Sequence, residues 1–168
     1  MKPKQCFLIG RRDAPESLYP ALRRAIELHI EKHGVLEFVV GKYGAFDRMA
    51  ARAVSEAKRT RPYLRLTLLL PYHPGKRRED FPSEFDGSWY SFGDERVPPR
   101  AAILRADRIA AAEAEYLIAW APYPDGNARG ILEFARKRGD IRVTELDMPD
   151  PDPANFPGVL DKPGTDGV

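Results

Sequence analysis

Short apolar runs alternate with helix-patterned stretches five times over the first 145 residues, and this alternation constrains the fold more than any other feature of the chain. The runs are Gln5–Ile9, Leu36–Val40, Leu64–Leu70, Glu115–Trp120 and Ile141–Thr144, each of strand length and rich in β-formers. From Glu16 to Lys32 the pattern is helical, with Leu18, Leu22, Ile26 and Ile30 on one face, Pro15 at the first turn and Gly34 just past the end. From Phe46 to Arg59 it is helical again, burying Met49, Ala50, Ala53, Val54 and Ala57. Asp47 falls in or just before the first turn and Arg59 and Arg61 near the C-terminus, as the helix dipole favours. A third helix follows Pro98-Pro99 and runs to about Ala114. A fourth starts at Asn127, a good N-cap, and stops at Gly139 after Arg136-Lys137-Arg138. The pattern predicts an α/β chain: a three-layer Rossmann-like open sheet, mostly parallel, with helices on both faces. Right-handed crossovers favour the strand order 3-2-1-4-5.

Two stretches depart from the rhythm. Residues 71–96 have no clear period but carry Tyr72, Phe81, Phe85, Trp89, Tyr90 and Phe92. A loop of that length is either an insertion packing its aromatics on the body or a ligand lid. Residues 147–168 are rich in Pro, Asp and Gly and read as an extended or disordered tail. The expected organisation is one Rossmann domain over residues 1–146, followed by that tail.

The net charge of +2 conceals an uneven distribution, because residues 1–146 hold 26 basic against 20 acidic groups. Such a body attracts small anions. It falls well short of a duplex-binding surface, which argues against nucleic acid as a partner. Cys6 is the only cysteine and sits in the first apolar run, so it reads as an inert core thiol in a reducing compartment. The basic N-terminus precedes an apolar run too short for a signal peptide, and no stretch reaches the ~20 apolar residues of a membrane span. A cytoplasmic protein that engages no membrane is expected.

In open α/β sheets ligands sit beyond the carboxyl ends of the strands, where strand order reverses. Three glycine-bearing loops arrive there: Gly10-Arg11-Arg12, Gly41 to Asp47, and Ala121 to Arg129. Glycine turns leading into helix N-termini offer backbone N–H groups to an anion. Arg11 and Arg12 are suited to clamp a phosphate or carboxylate, or are solvated surface residues. Gly41 and Gly44 serve a tight turn or the close approach of a ligand, with Tyr43 between them and Arg48 just beyond. Asp47 is a helix cap or an acceptor for ribose hydroxyls or a base edge. Gly126 and Asn127 form the third turn, and Glu133 further along that helix is either a surface residue or a catalytic carboxylate.

Several sharper motifs are missing. The chain has no Gly-x-x-x-x-Gly-Lys-Ser/Thr loop and no Gly-x-Gly-x-x-Gly after the first strand. His29, His33 and His73 are the only histidines and lack zinc-protease spacing, so neither a metal site nor a Ser-His-Asp triad is expected, and no cofactor is assigned.

At these loops the chain resembles the SLOG superfamily, Rossmann-like proteins that include the DNA-processing SMF proteins, the LOG enzymes and YpsA-like proteins. The nearest likeness is to YpsA-like and related bacterial proteins. Gly10-Arg11-Arg12 stands where they carry Gly-His-Arg. Gly41, Gly44 and Asp47 match their second glycine turn, and Gly44 to Ala50 is particularly similar. Gly126 to Ala135 resembles their last glycine turn and helix. Of the LOG motif Pro-Gly-Gly-x-Gly-Thr-x-x-Glu, Gly126 and Glu133 have counterparts, while Arg100, Arg105 and Asp107 are loose counterparts of the arginine-bearing segment. The resemblance implies a site for a nucleotide or nucleotide derivative, and a homo-oligomer. It also admits LOG-type phosphoribohydrolase chemistry, with Glu133 assisting departure of the base and an arginine such as Arg105 holding the phosphate. A third alternative is a single-stranded nucleic-acid or protein-interaction module using the aromatic 72–92 loop.

Overall fold

The computed structural model describes residues 2–71, 82–90 and 98–148. The predicted tail from residue 149 onward, and Tyr72, His73, Phe81 and Phe92, lie outside the described residues. The elements in chain order are β1 (Gln5–Gly10), a short 3-10 turn (Glu16–Leu18), α1 (Tyr19–Glu31), β2 (Glu37–Val40), α2 (Ala45–Lys58), β3 (Arg65–Leu70), β4 (Gly87–Tyr90), α3 (Pro99–Glu113), β5 (Tyr116–Trp120), α4 (Asn127–Arg138) and β6 (Arg142–Glu145). They form one sheet in the order β4-β3-β2-β1-β5-β6, with every neighbouring pair parallel.

Alternation along the strands decides which helix covers which face. Cys6 and Leu8 of β1, Phe38 and Val40 of β2, and Tyr116, Ile118 and Trp120 of β5 point to one side. There they meet Leu22 and Ile26 of α1 and Phe46, Met49, Ala50 and Val54 of α2. Phe7, Ile9, Val39, Leu69, Leu117 and Ala119 point to the other side, against Ala106 and Ala110 of α3 and Ile131, Leu132 and Ala135 of α4. Both faces are therefore covered, as a parallel sheet requires. The four α-patterns and the 3-2-1-4-5 order of the five sequence-read strands are present.

The expected sheet lacks one member. β4 lies inside the stretch read as an aperiodic loop and adds a sixth strand beside β3, with Leu68 opposite Ser88 and Leu70 opposite Tyr90. Its four residues show no apolar alternation, so period alone has nothing to detect. Asp86 fixes it instead: its N–H donates to the Leu66 carbonyl at 2.8 Å, and its carboxylate accepts the Leu66 N–H at 2.8 Å and pairs with Lys58. Phe85 is buried in the α1/α2 core and Trp89 packs on the opposite one. Those two aromatics of the 71–96 stretch pack on the body.

Candidate functional site

The loop after β1 and the start of α2 are built as one unit. The Ala45 N–H donates to the Arg12 carbonyl at 3.0 Å. A Cβ on Gly44 would stand 2.5 Å from Arg12 Cα, and one on Gly10 would stand 2.3 Å from the Phe46 ring. These glycines thus have a packing role of their own, letting strand end, loop and helix press together. Asp47, in the first turn of α2, reaches back so that its Oδ2 accepts the Tyr43 N–H at 2.9 Å and closes the second loop.

The third loop departs from expectation. Gly126, at φ +98°, is the N-cap of α4, and Asn127 is the first helical residue. Freed from capping, the Asn127 side chain crosses to α3, where its Nδ2 donates to Asp107 Oδ2 at 2.5 Å. Arg129 holds the rest of the loop by donating to the carbonyls of Ala121 and, at 3.2 Å, Tyr123, while pairing with Glu145 at 3.2 Å. The Tyr123 ring is thereby presented at the surface, 43% exposed, with the Arg11 guanidinium 4.6 Å from its centroid.

These three loops meet in a cavity of about 540 Å³ beyond the carboxyl ends of the strands. Gly10, Arg11, Arg12, Gly41, Tyr43, Gly44, Asp47, Gly126 and Asn127 all line it. Arg48 is exposed and is not among the lining residues; neither is Arg105, which is partly buried on α3. Glu133 is exposed and also outside the lining, because the buried stripe of α4 is Ala128, Ile131, Leu132 and Ala135 and position 133 turns the other way. A further wall comes from α3, through Arg100, Ile103, Leu104, Ala106 and Asp107, and strand residues Phe7, Ile9 and Leu69 line the cavity as well. Tyr123, outside the lining but against Arg11, went unnamed in the sequence; Arg100 and Asp107 were named only as loose counterparts of another motif, and Ile103 and Leu104 not at all. The signal for the α3 residues is the i, i+3, i+4, i+7 spacing of Arg100, Ile103, Leu104 and Asp107, which is informative only once α3 is known to overhang the crevice.

Charge is layered in this cavity. Arg11, bound to Asp13 through Nε–Oδ1 at 3.0 Å and Nη2–Oδ2 at 3.3 Å, stands at the rim with the exposed Arg12 and Arg100. Among the described residues no ion-pair partner is found for the guanidinium of Arg12 or Arg100. Deeper in lie two carboxyls. Burial pushes Asp47 up to about 6 against the pull of the Tyr43 N–H, Arg12 and Arg48. Burial, with the nearby charge of Asp47, pushes Asp107 up to about 7 although Asn127 favours its ionised form.

Both groups bind protons more tightly folded than unfolded, so each costs stability as pH rises from about 4 through its folded value. Asp107→Asn keeps an acceptor for Asn127 and removes the charge. It is expected to stabilise the protein by about 2 kcal/mol at pH 8, a gain that shrinks toward zero near pH 4. Thermal melts of both proteins across this range provide the check, and an equal gain at both ends would contradict the assignment.

No family model matches the chain, and no curated protein matches it. Among solved structures it is similar to DNA processing protein A from Helicobacter pylori, with a TM-score of 0.60 and 16% identity over 96% of this chain and 73% of that one. The likeness is one of fold alone. That structure concerns single-stranded DNA binding by DNA processing protein A. The expectation against a nucleic-acid partner is corrected by this match, since a protein of the same fold binds a DNA strand. The physical reason is that overall charge gauges duplex surfaces, whereas a single strand needs only a local basic groove with an aromatic platform. Among the described residues no helix is long and apolar enough to cross a membrane. Cys6 is buried, which pushes its thiol up and away from reactivity.

Proposed function

We propose that the chain binds single-stranded nucleic acid, seating one nucleotide unit in the cavity with its phosphate among Arg11, Arg12 and Arg100. The observation that carries this reading is the composition of the mouth: Arg11, Arg12 and Arg100 line a largely apolar cavity, and the Arg11 guanidinium lies 4.6 Å from the centroid of the exposed Tyr123 ring. Single-strand sites combine cations that track the backbone with π-faces that accept any base. Single-stranded DNA binding by a protein of the same fold supports the reading. In it, Gly10, Gly41, Gly44 and Gly126 shape the walls, and Asp47 and Asn127 face sugar or base.

A second reading, a free nucleotide or nucleotide derivative in the same cavity, is favoured by its volume, which lies in the range of small-molecule sites. LOG-type hydrolysis draws no support, because Glu133 is exposed on α4 away from the lining. The closer likeness to YpsA-like proteins and a cytoplasmic setting belong to the same proposal.

Fluorescence anisotropy with a labelled thymidine dodecamer tests it. Saturable binding is expected, weakening between about 50 and 200 mM salt with a log–log slope of about −0.7 per phosphate contacted. A matched duplex should compete poorly. If mononucleotides bind and the strand does not, the second reading replaces the first. If neither binds, both fail.

A further inference from the structure

One stripe of α3 runs the depth of the cavity: Arg100, Ile103, Leu104 and Asp107, at i, i+3, i+4 and i+7. Arg100 is exposed at the mouth. Asp107 lies about 10 Å further along the helix axis, partly buried, and accepts Asn127 Nδ2 through Oδ2. A cation, an apolar stretch and a carboxylate follow one another in the order of a nucleotide's phosphate, ring face and base edge. The spacing is comparable to the reach of one nucleotide from phosphate to far edge.

The chemistry of the inner end then discriminates between bases. An ionised carboxylate only accepts hydrogen bonds, and Asn127 is the one side-chain donor to Asp107 among the described residues, in a cavity that Phe7, Ile9 and Leu69 also line. Guanine is the base whose pairing edge offers two adjacent donors, N1–H and the N2 amine, matched to the two carboxylate oxygens. Adenine and cytosine present a donor beside an acceptor, and thymine and uracil one donor between acceptors. We infer that Asp107 is the specificity-determining residue of this cavity and makes it selective for guanine, an inference that rests on the cavity holding a nucleotide unit.

Protonation would change the match. A neutral carboxyl carries one donor and one acceptor and suits adenine or cytosine. Asp107 titrates at about 7, so both forms are within reach of ordinary buffers. The charged groups lining the cavity with it are Arg11, Arg12 and Asp13 after β1, Asp47 on α2 and Arg100 on α3. The guanine advantage is therefore larger at pH 8.5 than at pH 5.5.

Calorimetric titration at pH 8.5 with the 5′-monophosphates of guanosine, adenosine, cytidine and uridine tests the inference. Thymidine heptamers carrying one central guanine, adenine or cytosine form a second arm, which separates a unit within a strand from a free nucleotide. Guanine is expected to bind at least about tenfold tighter than the others in whichever arm binds, within the range for one bidentate base contact. Asp107→Asn should cut that advantage to below about threefold, weakening guanine and tightening adenine, because the amide, like a neutral carboxyl, carries one donor and one acceptor. Wild-type affinities equal within about threefold across the bases overturn the selectivity and leave the proposed function standing. The absence of binding in both arms overturns the proposed function itself. The comparison among bases is made on the wild-type protein and does not depend on how the variant folds.

Discussion

The double substitution Arg12→Gln, Arg100→Gln is expected to weaken binding of a thymidine dodecamer about 100-fold, with the melting temperature nearly unchanged. The two guanidiniums approach the cavity from different elements, the β1 loop and the first turn of α3, and both are exposed. Each hydrogen bond from a charged donor to a phosphate is worth about 1.5 kcal/mol, and two together give roughly a hundredfold. The salt slope should fall at the same time by about 0.7 per lost phosphate contact, roughly 1.4 in all. Exposed substitutions that break no cap and no core contact change stability by only about 0.5 kcal/mol. Affinity, salt slope and melting temperature, measured on one sample, separate lost phosphate contacts from a damaged fold. Affinity unchanged at about 100 mM salt would remove the rim arginines from the account.

Gly10→Ala should cost the fold at least about 3 kcal/mol, lowering the melting temperature by about 6–12 °C for a protein of this size. The added Cβ would stand 2.3, 2.4 and 2.8 Å from Cγ, Cδ2 and Cδ1 of Phe46. That ring is fully buried among α1, α2 and the sheet, and cannot swing away without disturbing the core. Shortening the obstacle should relieve the clash. On a Phe46→Ala background, itself destabilised, the further substitution Gly10→Ala is expected to cost less than about 1 kcal/mol. Additive losses in that cycle would mean the collision is not the cause. The same contact explains how the first strand and second helix are kept in the position that opens the cavity.

Much of this architecture is legible from residue order because it rests on period and punctuation. Leu18, Leu22, Ile26 and Ile30 are all buried as their spacing predicts, and Gly139 ends α4 as expected. What stays hidden depends on contacts distant in sequence. β4 is held by Asp86 reaching Leu66 and Lys58, a relation invisible in a four-residue window. Asn127 looks like an N-cap because capping is its commonest local role. Gly126 takes that place, and Asn127 turns to a partner twenty residues away. Gly10, read as part of an anion-binding loop, and Gly44, read as serving a tight turn or the close approach of a ligand, have their Cβ space occupied by Phe46 and by Arg12. The α3 wall escapes notice for the same reason. Arg100 and Asp107 form an unremarkable charged pair on a helix until the fold sets that helix over the crevice.

In the proposed binding mode a strand enters the cavity at the carboxyl ends of β1, β2 and β5. Amide chemical shifts followed residue by residue during titration with the thymidine dodecamer test it most directly. The largest changes are expected at Gly10–Asp13, Gly41–Asp47, Ile103–Asp107 and Tyr123–Ala128. Changes centred instead on the opposite end of the sheet, around Leu28, Leu36 and Tyr63, would contradict it.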